Sequence, residues 1–251
     1  MQFVPSQDSE KLFTQTLKSF LKSEQIVSTT EYWDVVEDHL QLLRNLPFTT
    51  EVAICNNLAF GLVTKKSDID LFIVLKSDRF FIGRFLITLI LHFKSLRRYG
   101  PKIHKRFCLS FFVADNDSNL NFKDLLIDED VYFYNWFKNL VFLKNNFSLQ
   151  KVIIDLNRDN FVLSQDFRFR NYKSPTNSKV ILSVNFIERF FDNKFFNWLE
   201  KIMGFVQLKK ATCSYKKNKC PYGIVIKNGT LKFHLSDIRI DFRAAYFSLF
   251  K

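Results

Sequence analysis

The stretch Leu58 to Leu75, LAFGLVTKKSDIDLFIVL, decides how the chain is read. It ends in an apolar run with the composition of a buried strand, and two carboxylates, Asp68 and Asp70, stand two residues apart at its head. Side chains alternate along a strand, so Asp68, Asp70 and Phe72 share one face while Ile69, Leu71 and Ile73 take the other. Two like charges on one half-buried face raise each other's pKa and cost desolvation energy unless a cation neutralises them. A divalent ion is the natural partner, because Mg²⁺ is commonly held by one or two carboxylates together with phosphate oxygens. A competing reading needs no ligand: Asp68 caps the turn after Ser67, and Asp70 lies at an exposed strand end.

Working outward, Glu51 to Cys55 reads as a short strand and Asn57 to Phe60 as a helical turn, followed by the turn GLVTKKS. Downstream, Phe80 to Arg98 reads as one long helix, with Arg97 and Arg98 near its negative end and Gly100-Pro101 closing it. Arg106 to Val113 is a third strand, and Asp128 to Leu143 reads as helical. At the N-terminus, Leu12, Phe13, Thr16, Leu17, Phe20 and Leu21 form one apolar helical stripe. A second helix, capped by Thr29 or Thr30, carries its stripe from Tyr32 to Leu46 and stops at Pro47. Further on, the pattern predicts a helix around Val184 to Phe205, a basic loop from Lys209 to Lys219, and a terminal strand and helix. KSPTNS, from Lys173, is the best linker candidate.

The 251 residues are 47% hydrophobic and 25% charged, which excludes a disordered tail or a fibrous repeat. The net charge of +12 is unevenly spread. Residues 1–150 hold 18 Lys and Arg against 17 Asp and Glu, and residues 151–251 hold 19 against 8, giving +1 and +11. The chain therefore divides at about residue 150 into a near-neutral α/β part and a basic, mainly helical C-terminal region. A field of that sign attracts phosphate-bearing partners or serves as a solvated face. Cys55, Cys108, Cys213 and Cys220 read as reduced thiols, and with a polar, acidic opening segment they predict a cytoplasmic protein. Phe80 to Phe93 is too short and too charged for a transmembrane segment. His234 reads as a packing residue, since no nucleophile pairs with it in the sequence.

The order strand, NNLAFG, short turn, SDIDLFIV, within roughly Glu51 to Val113, resembles the nucleotidyltransferase superfamily with a DNA polymerase beta-like fold, in its small, minimal form. The resemblance implies an α/β (α+β) fold: a small mixed sheet with flanking helices, plus a helical C-terminal region. It implies that Asp68 and Asp70 are the catalytic, metal-holding residues, with Mg²⁺ or Mn²⁺ as cofactor and an NTP as substrate. The implied reaction moves a nucleoside monophosphate to a hydroxyl acceptor. Gly61 falls on the second glycine of the family pattern, and Ser67 on the serine before the paired acids. Asn56 and Asn57 replace the family's Gly-Ser pair; Asn tolerates a left-handed backbone, and its carboxamide can donate to phosphate. Lys65 and Lys66 would add charge-assisted contacts to the triphosphate.

The family also carries a third carboxylate on a later strand. No Asp or Glu occurs between Asp78 and Asp115, so that ligand would have to be Asp115 or Asp117. This departure motivates an alternative: a catalytically degenerate domain that binds nucleotide, RNA or a protein. The basic C-terminal region tilts the acceptor towards RNA or another phosphate-rich molecule, and a peripheral membrane role is a third reading.

Overall fold

The computed structural model of the chain describes residues 7–21, 25–116, 122–144, 170–173, 188–191, 193–216, 223–235 and 237–249. In chain order these form α1 (Gln7–Phe20), β1 (Ile26–Val27), α2 (Thr30–Asp38), α3 (Leu40–Arg44), β2 (Thr49–Ile54), α4 (Asn56–Ala59), β3 (Val63–Thr64) and β4 (Ile69–Leu75). There follow α5 (Phe80–Phe93), β5 (Phe107–Ala114), α6 (Val131–Lys138), β6 (Val141–Lys144), β7 (Arg170–Asn171), α7 (Lys194–Tyr215), β8 (Ile224–Lys227), β9 (Thr230–Phe233) and α8 (Arg239–Ser248).

The unbroken apolar run after Asp70 has a simple cause: β4 is the middle strand of a seven-stranded mixed sheet ordered β7-β6-β2-β4-β5-β9-β8. A strand covered on both faces needs apolar residues at every position. Ile69, Leu71 and Ile73 are buried in a core with Val36 of α2, Leu43 of α3 and Leu91 of α5. Phe72 and Val74 take the opposite face under Phe133, Trp136 and Phe137 of α6. The chain thus has the expected α/β architecture of a mixed sheet with flanking helices. Both sides of residue 150 share the sheet, since β7, β8 and β9 join strands from the first part. Among the described residues no helix is long and apolar enough to cross a membrane.

The sheet combines two pairings around β4. It runs antiparallel to β2, with Ala53 opposite Phe72, and parallel to β5, with Asp70 opposite Cys108. After that pair the register slips, because Phe72 faces Phe111, so three residues of β5 span the length of two on β4. Such a bulge re-aims side chains locally. On the outer edge of β5, the β8–β9 hairpin turns through Gly229 at φ +77° and pairs Val113 with Thr230.

Several boundaries differ from the sequence pattern. The helix expected from Tyr32 to Leu46 breaks at His39 into α2 and α3. Thr29 occupies the N-cap of α2 without a side-chain hydrogen bond, and Ser28 Oγ accepts from the Thr30 N–H at 3.2 Å. Within GLVTKKS, Val63 and Thr64 pair with β1. The helix expected over Asp128 to Leu143 ends at Lys138, and its last apolar residues form β6 against β2. A short apolar run fits a buried strand as well as a helix, and the open edge of β2 decides it here. Lys209 to Tyr215, expected in a basic loop, lie in α7, since lysines on an exposed helix face do not interrupt helix. Val184, most of KSPTNS, Asp117 and Cys220 lie outside the described residues.

The change with most bearing on the site is at the end of α5, which stops at Phe93 rather than Arg98. Ser95 takes a left-handed backbone, φ 56°, and the Leu96 N–H reaches back to the Leu91 carbonyl at 2.8 Å. The chain then turns alongside β5, where the Arg98 N–H donates to the Phe107 carbonyl at 2.9 Å. Arg97 and Arg98 therefore do not close the helix, and Arg98 is delivered to the head of β4 and β5.

α7 is fastened to α5 by a carboxylate and a glycine. Glu200 accepts from the Phe81 and Ile82 N–H groups at 2.6 and 2.9 Å, which otherwise would be unpaired donors at the start of α5. Four residues on, a Cβ on Gly204 would sit 2.8 Å from Phe81 Cε2, so only glycine lets the helices approach this closely. Gly204→Val is expected to lower stability by about 1–3 kcal/mol through overpacking. An unchanged thermal midpoint in that variant would show that the Phe81 ring has room to move.

Candidate functional site

Cover over the α6 face of the sheet ends between Phe72 and Asp70. Phe72 is fully buried, whereas Asp70 is half-buried and the Asp68 side chain is 15% exposed. Asp68 lies one residue before β4, and its carboxylate still reaches the same place as that of Asp70. One ligand atom each from Asp68, Asp70 and Cys108 lie within 4.8 Å of one another, the single group of this kind among the described residues.

Charge in this group is unequally matched. Arg98 Nη1 binds Asp68 Oδ2 at 2.6 Å and lies 3.7 Å from Cys108 Sγ. Asp70 makes no ion pair among the described residues. Burial and the neighbouring Asp68 charge push its carboxyl up to about 7, against the hydrogen bonds of Asn56 and Cys108 and the Arg98 charge. Burial, then the two carboxylates, drives the Cys108 thiol far up. The site therefore holds one carboxylate ion-paired with Arg98, one acid poised near neutrality and a protonated thiol.

The turn that leads into the site behaves as its residues dictate. Asn56 opens α4 with φ 54°, the left-handed conformation that Asn tolerates better than other non-glycine residues. From there its carboxamide faces Asp70, whose pKa it lowers, and lies 3.3 Å from His234 Nε2. The Asn57 carbonyl accepts from the Leu62 N–H at 2.8 Å, and Gly61, φ +75°, lets the chain reverse. Ser67 Oγ accepts from the Thr64 N–H at 2.9 Å, which closes the turn from inside. Lys65 and Lys66 are exposed at its tip.

No family model, curated protein or solved structure matches the chain. The chemistry is carried by the residues themselves.

Asp115, one of two candidates for a third carboxylate, is at the wrong end of the sheet. Its Oδ1 accepts from the Ser77 N–H at 2.8 Å, and its own N–H donates to the Leu75 carbonyl. Five residues of strand separate Leu75 from Asp70, roughly 17 Å. The position opposite Asp70 is filled by Cys108 instead.

Two participants were not visible as such in the sequence. Arg98 looked like a helix-closing charge, and only the left-handed Ser95 redirects it. His234 looked like a packing residue, yet its Nε2 sits between Asn56 Nδ2 at 3.3 Å and Ser110 Oγ at 3.4 Å. Burial, then Lys232, pushes His234 down to about 4, so the ring is neutral at pH 7. Beside it lies a small cleft of about 70 Å³, partly open to solvent, whose walls include Asn56, Phe111, Trp136, Lys232, His234 and Arg239.

Proposed function

We propose that the head of β4 binds a nucleoside triphosphate with a divalent cation and transfers its nucleoside monophosphate to a hydroxyl acceptor, as the nucleotidyltransferase resemblance implies. The observation that supports it is the convergence of Asp68 and Asp70 on one partly open site at the head of β4, beside the left-handed Asn56. The donors fit such an ion, because Asp70 is a half-buried acid with no ion pair among the described residues and Asp68 is paired only with a half-exposed arginine. Asp68 and Asp70 would hold Mg²⁺ or Mn²⁺, which when bound supplies charge neutralisation of the phosphates and activation of the acceptor hydroxyl.

The chain's own groups have separate tasks. Asn56 favours the ionised Asp70 carboxylate through its nearby carboxamide. Arg98, 43% exposed in its side chain, is free to turn from Asp68 to a phosphate oxygen. Lys65 and Lys66 offer two more cations from the turn. The exposed Lys194, Lys201, Lys209 and Lys210 of α7 suit a phosphate-rich acceptor such as RNA. Titration calorimetry with Mg²⁺ and each NTP is expected to show binding that needs both, weakened at least tenfold in Asp70→Asn. Absence of binding in every combination, or binding indifferent to Asp70→Asn, would remove this function.

A second reading keeps the fold and drops the transfer: a nucleotide-, RNA- or protein-binding module. It is favoured by the thiol of Cys108 opposite Asp70 and the distant engagement of Asp115. Nucleotide binding without release of pyrophosphate, under any acceptor tested, would select it.

A further inference from the structure

The structure puts a thiol where two carboxylates need a third partner, and this decides which ion they suit. We propose that Asp68, Asp70 and Cys108 form a three-donor site that takes a thiophilic divalent ion such as Zn²⁺ in preference to Mg²⁺, with Arg98 as the group that the ion displaces. The proposal rests on reading Asp68 and Asp70 as cation ligands and changes the identity of the cation.

The placement of the thiol is a backbone property. Cys108 is the direct partner of Asp70 in the parallel β4–β5 register, so the two side chains leave the same sheet face from adjacent strands. The bulge that follows absorbs an extra residue on β5, after which Phe111 realigns with Phe72. Donor atoms within 4.8 Å of one another need only small side-chain rotations to enclose an ion. A zinc ion binds sulfur at about 2.3 Å and carboxylate oxygen at about 2.0–2.2 Å, which sets its donors roughly 3.5 Å apart.

Chemistry then selects the ion. Mg²⁺ demands octahedral oxygen and gains little from sulfur, whereas thiolate favours zinc and its neighbours. On binding, the S–H bond breaks, its proton passes to solvent, and the sulfur lone pair forms the metal bond. Three protein donors leave a fourth position for water or a phosphate oxygen, as in catalytic rather than structural zinc sites. Asn56, which faces the Asp70 carboxyl and stands 3.3 Å from His234 Nε2, is placed to serve as the outer partner that orients a ligand.

A cation already occupies part of this place. Arg98 Nη1 touches both Asp68 and the Cys108 sulfur, and its half-exposed side chain can retreat to solvent. Removing it should therefore tighten metal binding, the opposite of what a purely structural arginine would do.

Cobalt tests the site directly, because a thiolate–Co²⁺ bond gives a near-ultraviolet charge-transfer band that oxygen ligands do not. Titration of the full chain with Co²⁺ is expected to raise that band to one equivalent, with Zn²⁺ erasing it and a thousandfold excess of Mg²⁺ leaving it. Cys108→Ser should abolish the band with an unchanged circular dichroism spectrum, and Arg98→Gln should tighten Co²⁺ at least tenfold. Cys108→Asp should lose the band and bind Mg²⁺ more tightly than the parent. A folded protein without the band, or a band that survives in Cys108→Ser, overturns the proposal. If Mg²⁺ and NTP still bind through Asp70 in that case, the cation reading of the paired aspartates stands and only the choice of ion fails. If neither Co²⁺ nor Mg²⁺ with NTP binds, both fail.

Discussion

Arg239→Met is expected to remove about 3–5 kcal/mol of stability, the usual cost of leaving a buried charge without its partner. Arg239 starts α8 with its side chain 3% exposed, between Asp130, whose side chain is fully buried, and Asp237, at 10%. Its Nη1 reaches Asp130 Oδ2 at 2.8 Å and the Leu125 carbonyl at 2.6 Å, and its Nη2 reaches Asp237 Oδ2 at 2.9 Å. Asp130 in turn caps α6 by accepting from the Phe133 N–H at 2.8 Å. One guanidinium thus joins α8 to the start of the helix that covers the Phe72 face. Methionine keeps the volume and strands the Asp130 carboxylate. Chemical denaturation should show the loss as a shift of midpoint, and adding Asp130→Asn should recover part of it, since the pair is coupled. A loss below about 1 kcal/mol, the range of a solvated ion pair, would mean that water reaches Asp130 and the network is no linchpin.

The second large effect runs the other way: Asp70→Asn is expected to stabilise the metal-free protein at pH 8. The carboxyl stands at about 7 in the fold against 3.8 for an unperturbed aspartate, because of burial and then Asp68. The folded state therefore holds the proton more tightly, and stability falls as pH rises from about 4 to 7 and stays low above. At pH 8 the ionised Asp70 costs on the order of a few kcal/mol, since each tenfold change in proton affinity corresponds to about 1.4 kcal/mol. An Asn there should raise the thermal midpoint by several degrees at about 2–4 °C per kcal/mol. His234 works with opposite sign. Its pKa is about 4 folded and 6.5 unperturbed, so its contribution is present above 6.5 and lost as pH falls towards 4. The two windows overlap and offset each other in the parent, whereas Asp70→Asn leaves the His234 loss on acidification exposed. Thermal scans from pH 4 to 8 on both proteins check this; parallel curves would show that Asp70 carries no such penalty.

Strand alternation alone places Asp70 and Phe72 on one face, because a period of two leaves no choice once a strand is half-covered. Asn56 likewise meets the left-handed turn that its side chain suits. What could not be read was anything set by partners far along the chain. Asn56 and His234 are 178 residues apart and meet only because β9 pairs with β5. The end of α5 is not legible in the sequence for a different reason: Ser95 carries the positive φ that glycine usually marks, and the nearest glycine, Gly100, sits in the next turn. Without that reversal Arg98 stays on a helix, and the cation beside Asp68 and Cys108 disappears from view. The split between α6 and β6 depends on the open edge of β2, which composition does not encode.

The pairing of Val113 with Thr230 also sets an order of events during synthesis. Ribosomes add about 5–20 residues per second, so the stretch between these partners takes roughly 6 to 23 s to emerge. Throughout that interval the outer edge of β5 presents unpaired N–H and C=O groups from Phe111 to Ala114, beyond the part that Leu96 and Arg98 already cover at Phe107, an invitation to strand pairing between nascent chains. Yield in the cell should then depend less on the stability of the finished sheet than on how well that edge is shielded while β9 is still unmade.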